Sequence, residues 1–235
     1  MIEPGRYDLK KKPKDITGFE EKIWYAWKHM GFIGILVYGV QGAGKTSFAL
    51  KLGYNIYRDW DKVLELCIFD IREFIDLIEN YKGRIPYVII DDAGVWFSKY
   101  WFWRDVHYVD YVSALLQLIR VKVSCLVLTT TSPSALMKSI RNMDMYVVKI
   151  VPAGSKTFVR DALVYRQSIL PSGSKRVRLL RKIVFNCKLP DDVYRAYMEK
   201  RAYYMNHILP FLKERLKLKD LKIKVNTIQI GRKHD

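Results

Sequence analysis

A chain of 235 residues, half of them apolar, is long enough for one large α/β domain with a small appendage, and its composition is not that of a disordered or collagen-like chain. The formal net charge of +17 is concentrated late: from Val151 onward there are 20 Lys and Arg against 7 Asp and Glu, which points to a polyanionic partner, nucleic acid first. Three cysteines without close spacing (Cys67, Cys125, Cys187) argue against a disulfide framework or a zinc site. Apolar runs are no longer than a strand, so a soluble cytoplasmic protein without a membrane segment or secretory leader is expected.

Residues 1–18 carry Lys10, Lys11, Lys12 and Lys14 and read as a flexible basic arm. Ile23, Trp24, Trp27 and Met30 recur at helical spacing and predict a helix over 19–30. Strands and helices then alternate. A strand over 35–38 leads into a Gly-rich loop and a helix over 45–58. A strand over 64–70 precedes a helix over 72–81. The third strand, 87–91, is nearly all apolar, as expected for a strand covered on both faces. A helix over 108–119, a fourth strand over 124–130, a short helix over 133–140 and a fifth strand over 145–151 follow. This alternation predicts an α/β fold, a P-loop type parallel sheet with helices on both faces and right-handed crossovers.

The pattern changes after Val151. Residues 157–169 and 176–186 read as strands around the turn Pro171-Ser172-Gly173-Ser174, an antiparallel hairpin extending the sheet. Residues 189–209 read as a helix with Asp191 and Asp192 near its start, Pro210 is expected to interrupt it, and a basic stretch and polar tail follow. The organisation is then an arm (1–18), a P-loop domain that includes the hairpin (19–188), and a basic helical appendage with its tail (189–235).

The segment Gly39-Val40-Gln41-Gly42-Ala43-Gly44-Lys45-Thr46 has the Walker A spacing, and it lies where that motif must lie, between an apolar strand and a helix. Its glycines let the backbone turn tightly around phosphate. Gly39, Gln41, Gly42, Ala43, Gly44, Lys45, Thr46 and Ser47 are the expected cradle for ATP or GTP, with Lys45 on the β- and γ-phosphates and the Thr46 hydroxyl on Mg2+. Tyr87-Val88-Ile89-Ile90-Asp91-Asp92 supplies the Walker B strand: Asp91 is the expected magnesium carboxylate. Asp92 stands where many ATP hydrolases place a water-activating glutamate, so it is the candidate base, with a turn-capping role as the alternative. The fourth strand belongs between the strands of the two motifs, and its tip carries Thr129-Thr130-Thr131. Thr130 is the first candidate to touch the γ-phosphate and attacking water, and Thr131 the second; plain strand-end hydrogen bonding is the alternative.

Two patches stand outside these motifs. Trp96, Phe97, Tyr100, Trp101, Phe102 and Trp103 either stack on bases or pack at an interface or sheet edge. Lys175, Arg176, Arg178, Arg181 and Lys182, with Arg160 and Arg166, either track a phosphate backbone or form a solvated strand face. The four histidines are scattered and suggest no metal site or triad.

The run Arg120-Val121-Lys122-Val123-Ser124-Cys125-Leu126-Val127-Leu128-Thr129-Thr130-Thr131-Ser132-Pro133 resembles the corresponding part of FtsK/HerA-type DNA-pumping ATPases. Those proteins carry an arginine, a short turn, an apolar strand and then Thr-Gln-Arg-Pro, and the arginine-to-proline spacing matches without a gap. The resemblance spans residues 33–185, with Ile140 and Arg141 on the next helix and the hairpin after the fifth strand. Thr131 and Ser132 stand in place of the family's Gln-Arg, and Asp92 in place of its glutamate. The resemblance implies an ATP-hydrolysing, magnesium-dependent homo-oligomer, a hexameric ring that translocates double-stranded DNA for genome packaging or partition. In it Arg120 serves the neighbouring subunit as an arginine finger, with Arg104 and Arg141 as the alternative fingers and a helix-terminal arginine favoured by the helix dipole as the other reading of Arg120. Small members of that family package DNA in viruses, archaeal ones included, which would put this chain in a host cytoplasm. The other readings are an AAA+ replication initiator or helicase loader, whose helical lid the C-terminal helix keeps in play, and a nucleotide-dependent regulator with little turnover.

Overall fold

The computed structural model describes residues 18–99, 106–153 and 158–215. Along the chain it forms α1 (Glu20–Lys28), β1 (Ile33–Tyr38), α2 (Lys45–Tyr57), α3 (Trp60–Glu65), β2 (Cys67–Ile68), α4 (Ile71–Asn80), β3 (Val88–Ile90), α5 (Val106–Leu118), β4 (Cys125–Thr130), α6 (Lys138–Arg141), β5 (Met145–Pro152), β6 (Val159–Ile169), β7 (Lys175–Asn186) and α7 (Asp191–Arg215). The strands make one sheet in the order β2-β3-β4-β1-β5-β6-β7. The first five run parallel, and β6 and β7 add the expected antiparallel hairpin at one edge. This is a P-loop type α/β sheet. The strand between the Walker A and Walker B strands is β4, as expected from the position of Thr129–Thr131.

The core lies where apolar strands meet apolar helix faces. β3 and β4 are buried at every position, which is why both read as near-continuous apolar runs. α2 presents Phe48, Leu52 and Ile56 to the core, and the Phe48 ring meets Phe185 of β7 edge-on at 5.3 Å. Burial of aromatic and aliphatic side chains of this size contributes about 2–3 kcal/mol each. The hairpin is thereby anchored on the helix that follows the Gly-rich loop.

Three local expectations are corrected. Residues 64–66 do not begin the second strand. Asp59 caps a short helix, its carboxylate accepting from the amides of Asp61 (2.9 Å) and Lys62 (3.1 Å), so α3 takes Leu64 and the strand starts at Cys67. The helix expected over 133–140 is two pieces, a 3-10 turn at Pro133–Ala135 and α6. Leu136 and Met137 between them are extended and buried, so apolar burial overrides helical continuity. Pro210 does not end the last helix, which runs from Asp191 to Arg215. A proline removes one N–H and crowds one carbonyl, a cost that a 25-residue helix can carry.

The chain divides into two compact units, Met1–Val193 and Tyr194–Asp235. Among the described residues no helix is long and apolar enough to cross a membrane.

One side chain ties the start of the chain to the middle of the sheet. The Arg84 guanidinium donates to the carbonyls of Ala26 (2.9 Å), Trp27 (2.8 Å), Gly31 and Arg120 (2.9 and 3.1 Å). Burial pulls this guanidinium below its ordinary pKa. It closes the C-terminal end of α1 and holds the turn that leads into β4 at once. Arg84→Ala leaves these carbonyls without their cationic donor and should lower stability by about 2–3 kcal/mol, read as a shift of the urea unfolding midpoint with an unchanged slope.

Candidate nucleotide-binding site

β1 ends beside the ends of β4 and β5, with Tyr38 opposite Thr130 and Lys149. The loop that leaves it is pressed against the protein. A Cβ on Gly39 would stand 2.6 Å from the Ile150 carbonyl oxygen, so only glycine fits. Gly44 caps α2 from the left-handed region at φ 95°, and a Cβ there would stand 2.9 Å from the Cβ of Cys187. The amide of Ala43 turns back onto the Val40 carbonyl (3.2 Å). The amides of Lys45, Thr46 and Ser47 precede the first i→i−4 bond of α2, from Phe48 to Gly44 (3.0 Å). These are the donors that a helix start leaves for an anion. The Lys45 ammonium is buried and donates to the Val40 carbonyl across the loop (3.0 Å). Gln41 and Gly42 lie exposed on the loop's outer turn.

The acidic side of the site follows from strand register. Ile90, the last residue of β3, is opposite Leu128 of β4, so Asp91 falls beside Thr129. Asp91 is fully buried, and its carboxylate accepts from the Thr46 hydroxyl (3.0 and 3.1 Å) and from the Thr129 hydroxyl. Thr129 Oγ1 also accepts from the amide of Asp92 (2.9 Å). One hydroxyl therefore holds the magnesium candidate and orients the backbone of the base candidate. Asp92 has φ 50°, a conformation aspartate tolerates better than most residues, so the chain turns sharply as soon as the strand ends. The distance between β3 and α2 is set below the site by a pair of tyrosines. Tyr57 Oη donates to the Tyr87 carbonyl (2.6 Å), and Tyr87 Oη donates to the Ala49 carbonyl (2.7 Å). Burial pushes both phenols well above their ordinary pKa, so they act as neutral donors.

The sequence reading missed three residues here. Thr129 meets Asp91, whereas Thr130, on the alternate face of β4, exchanges hydrogen bonds with Ser132 (3.3 and 3.4 Å) and Thr131 is exposed. Pairing the Walker B strand with β4 residue by residue is the signal that would have found Thr129. Arg160 is not out on a free strand face: its Nε donates to the Ala43 carbonyl of the loop (3.1 Å). Cys187 packs on Gly44. Both lie at the hairpin end that Pro152, paired with Arg160, brings to the loop side of the sheet.

The remaining candidates are spread more widely. Arg120 is exposed in the 3-10 turn Ile119–Val121, before β4 starts. The six residues of β4 separate it from the loop end of the sheet by about 20 Å of strand. Trp96 and Phe97 are buried, with the Arg72 guanidinium 5.5 Å over the Trp96 ring, which removes them as base-stacking platforms. Tyr100–Trp103 and Arg104 lie outside the described residues. The Thr46–Asp91 pair fits a magnesium ion by its chemistry, a hydroxyl and a carboxylate in contact at the start of a helix. The loop fits a phosphate chain by its glycine turns and the helix start that follows them.

No known family model matches the chain. Two proteins of archaeal viruses match over most of it, both uncharacterised. Protein B-251 of Sulfolobus spindle-shape virus 1 is 28% identical over 221 residues, 87% of each chain. ORF286 of Acidianus two-tailed virus is 33% identical over 208 residues, 82% of this chain and 70% of its own. Among solved structures, a DNA polymerase III γ subunit-related protein of Thermotoga maritima aligns at TM-score 0.40 and 16% identity, covering 56% of this chain and 46% of that one. The N-terminal domain of zonular occludens toxin from Neisseria meningitidis aligns at 0.38 and 18% identity, covering 70% and 97%.

Thr129→Val keeps the shape of the side chain and removes its hydroxyl. It should cost about 1–3 kcal/mol of stability, because a buried carboxylate and an amide each lose a partner. Titration with a fluorescent nucleotide should show the loss of affinity chiefly when magnesium is present, and Thr129→Ser should restore it.

Proposed function

The chain belongs to the same protein family as ORF286 of Acidianus two-tailed virus, and we propose that it is a magnesium-dependent P-loop ATPase that acts on nucleic acid. The observation that supports this reading most is the contact of Thr46, Asp91 and Thr129 at the ends of β1, β3 and β4, beside an anion-ready helix start. In this reading the amides of Lys45, Thr46 and Ser47 hold the phosphates, and the Lys45 ammonium stabilises charge that grows on the γ-phosphate as the bond breaks. Magnesium at Thr46 and Asp91 would supply further positive charge to the β- and γ-phosphates. Asp92 accepts the proton of the attacking water. Thr129 keeps Asp91 and the Asp92 backbone in register with each other. Thr130 and Ser132 shape the tip of β4 beside them.

The basic part of the chain after Val151 supports a nucleic-acid substrate, with double-stranded DNA first by the FtsK/HerA resemblance and phosphate contacts as the source of affinity. The β6–β7 hairpin after β5 favours that resemblance over an AAA+ switch, which would continue with a helical lid. Arg120 lies a strand's length from its own loop and is exposed, so its contribution to hydrolysis would go to a neighbouring copy in a ring. Its backbone is held by Arg84, which gives the guanidinium a fixed base.

Mixing two inactive variants tests the reading. Lys45→Ala and Arg120→Ala should each lose ATP turnover by roughly a thousandfold. Mixed assemblies join an intact loop to an intact arginine and should recover part of it. Full activity of Lys45→Ala would end the site assignment. A mixture that stays inactive, while wild-type turnover rises with protein concentration, would remove Arg120 from the role.

A further inference from the structure

A second group of charged and aromatic side chains lies at the other end of the sheet. Tyr146 of β5 pairs with Arg166 of β6, and Arg166 pairs with Arg178 of β7. Directly opposite residues share a face, so the three side chains form a row across three strands. Val164 opposite Arg181 and Ser168 opposite Arg176 place two more arginines on that face. From above, α1 contributes Lys22, whose Nζ donates to Tyr146 Oη at 2.9 Å and lies 5.2 Å from the ring centre. The Arg166 guanidinium lies 5.0 Å from the same ring.

Two cations on one tyrosine, with a third directly across the ladder, is an arrangement that repels itself. Some cations elsewhere are paired: Lys182 with Asp161 on the opposite face of the hairpin at 2.6 Å, and Lys62 with Glu65 at 2.8 Å. Among the described residues no carboxylate lies within ion-pair distance of Lys22, Arg166, Arg176, Arg178 or Arg181. Among the described residues that line the rim, the one acid is Glu21.

Beside this row is a cavity of ≈790 Å3, lined by Glu21, Lys22, Tyr25, His29, Tyr146 and Arg166 among others. It lies below the start of β1, at the end of the sheet away from the Gly-rich loop. The Tyr25 and His29 rings lie at its edge with centres 4.3 Å apart and planes tilted by 36°, and Tyr25 is 67% exposed. The volume is in the range that takes one small-molecule-sized unit. Uncompensated cations call for an anion, and an exposed ring pair calls for a flat partner. A nucleotide unit of an unpaired strand offers both, whereas duplex bases are already stacked inside the helix.

We propose that the cavity between α1 and the β5–β6 ladder binds single-stranded nucleic acid, with phosphates on Lys22, Arg166 and Arg178 and a base on the Tyr25–His29 pair. This rests on the reading of the chain as a nucleic-acid-dependent ATPase only for the choice of polyanion. Contacts to phosphate and to a ring face carry no base code, so binding is independent of sequence and weakens steeply with salt.

The test is fluorescence anisotropy of labelled oligo(dT) of about 20 nucleotides and of a blunt duplex of the same length, with the full chain. Tyr25 and Lys22 are exposed on α1, so their replacement does not disturb the core. Tyr25→Ala should weaken oligo(dT) binding roughly tenfold and leave duplex binding as it was. Lys22→Ala and Arg166→Gln should weaken it comparably and flatten its salt dependence. Wild-type oligo(dT) affinity in both Tyr25→Ala and Lys22→Ala would overturn the site, as would equal competition by polyglutamate, which would assign the cations to an acidic polypeptide. Duplex binding without oligo(dT) binding would overturn this site and leave the ATPase reading intact. Failure to bind either nucleic acid would overturn both.

Discussion

Register along the ladder of β3, β4 and β1 decides where each acid and hydroxyl of the site falls. With Ile90 opposite Leu128 and Tyr38 opposite Thr130, Asp91 has one position open to it, beside Thr129 and under the start of α2. A slip of one residue would turn Asp91 to the other face and leave Thr46 without its carboxylate. Everything that fixes that register therefore serves the site. The buried apolar faces of β3 and β4 fix it from both sides, and the Tyr57–Tyr87 pair fixes the height of β3 against α2.

The hairpin is a second constraint with consequences at both of its ends. Phe185 anchors it on α2, so the strand that pairs with β5 must pass the Gly-rich loop. Arg160 then reaches the Ala43 carbonyl, and six residues further along the same face Arg166 joins the cationic row over Tyr146. One strand thus touches the nucleotide loop at one end and the cavity beneath α1 at the other. Most of the basic residues that looked like one patch in the sequence divide into three different things: a loop contact (Arg160), an internal ion pair (Lys182 with Asp161) and a face without a carboxylate partner among the described residues (Arg166, Arg176, Arg178 and Arg181).

The sheet was legible because its signals are local. Apolar runs of strand length, separated by helical periodicity, gave the order of elements, and Pro171–Ser174 gave the hairpin. The Walker segments were legible because a fixed spacing of glycines, lysine and threonine has one backbone solution in that context. What stayed hidden depends on pairing between distant strands. Thr129 and Thr130 are equivalent by composition, and only the match of Ile90 with Leu128 separates them. Arg84 is an ordinary surface arginine until α1 and the turn at Arg120 come together on it. Tyr25, His29 and Lys22 lie outside the apolar spacing that marked the helix, and only the ladder beneath them reveals a cavity. Asp59 and Pro210 misled for a different reason: a cap extended helix into an apolar run, and a long helix absorbed a proline.

The central claim is that Thr46 and Asp91 act together on a magnesium-bound nucleotide. A double-mutant cycle on nucleotide affinity tests it, with Thr46→Val, Asp91→Asn and the double variant titrated with and without magnesium. The account predicts that wild type gains affinity from magnesium, that each single variant loses most of that gain, and that the double variant loses little more, a coupling of about 1–3 kcal/mol. Binding that ignores magnesium in the wild type, or two losses that simply add, would contradict it.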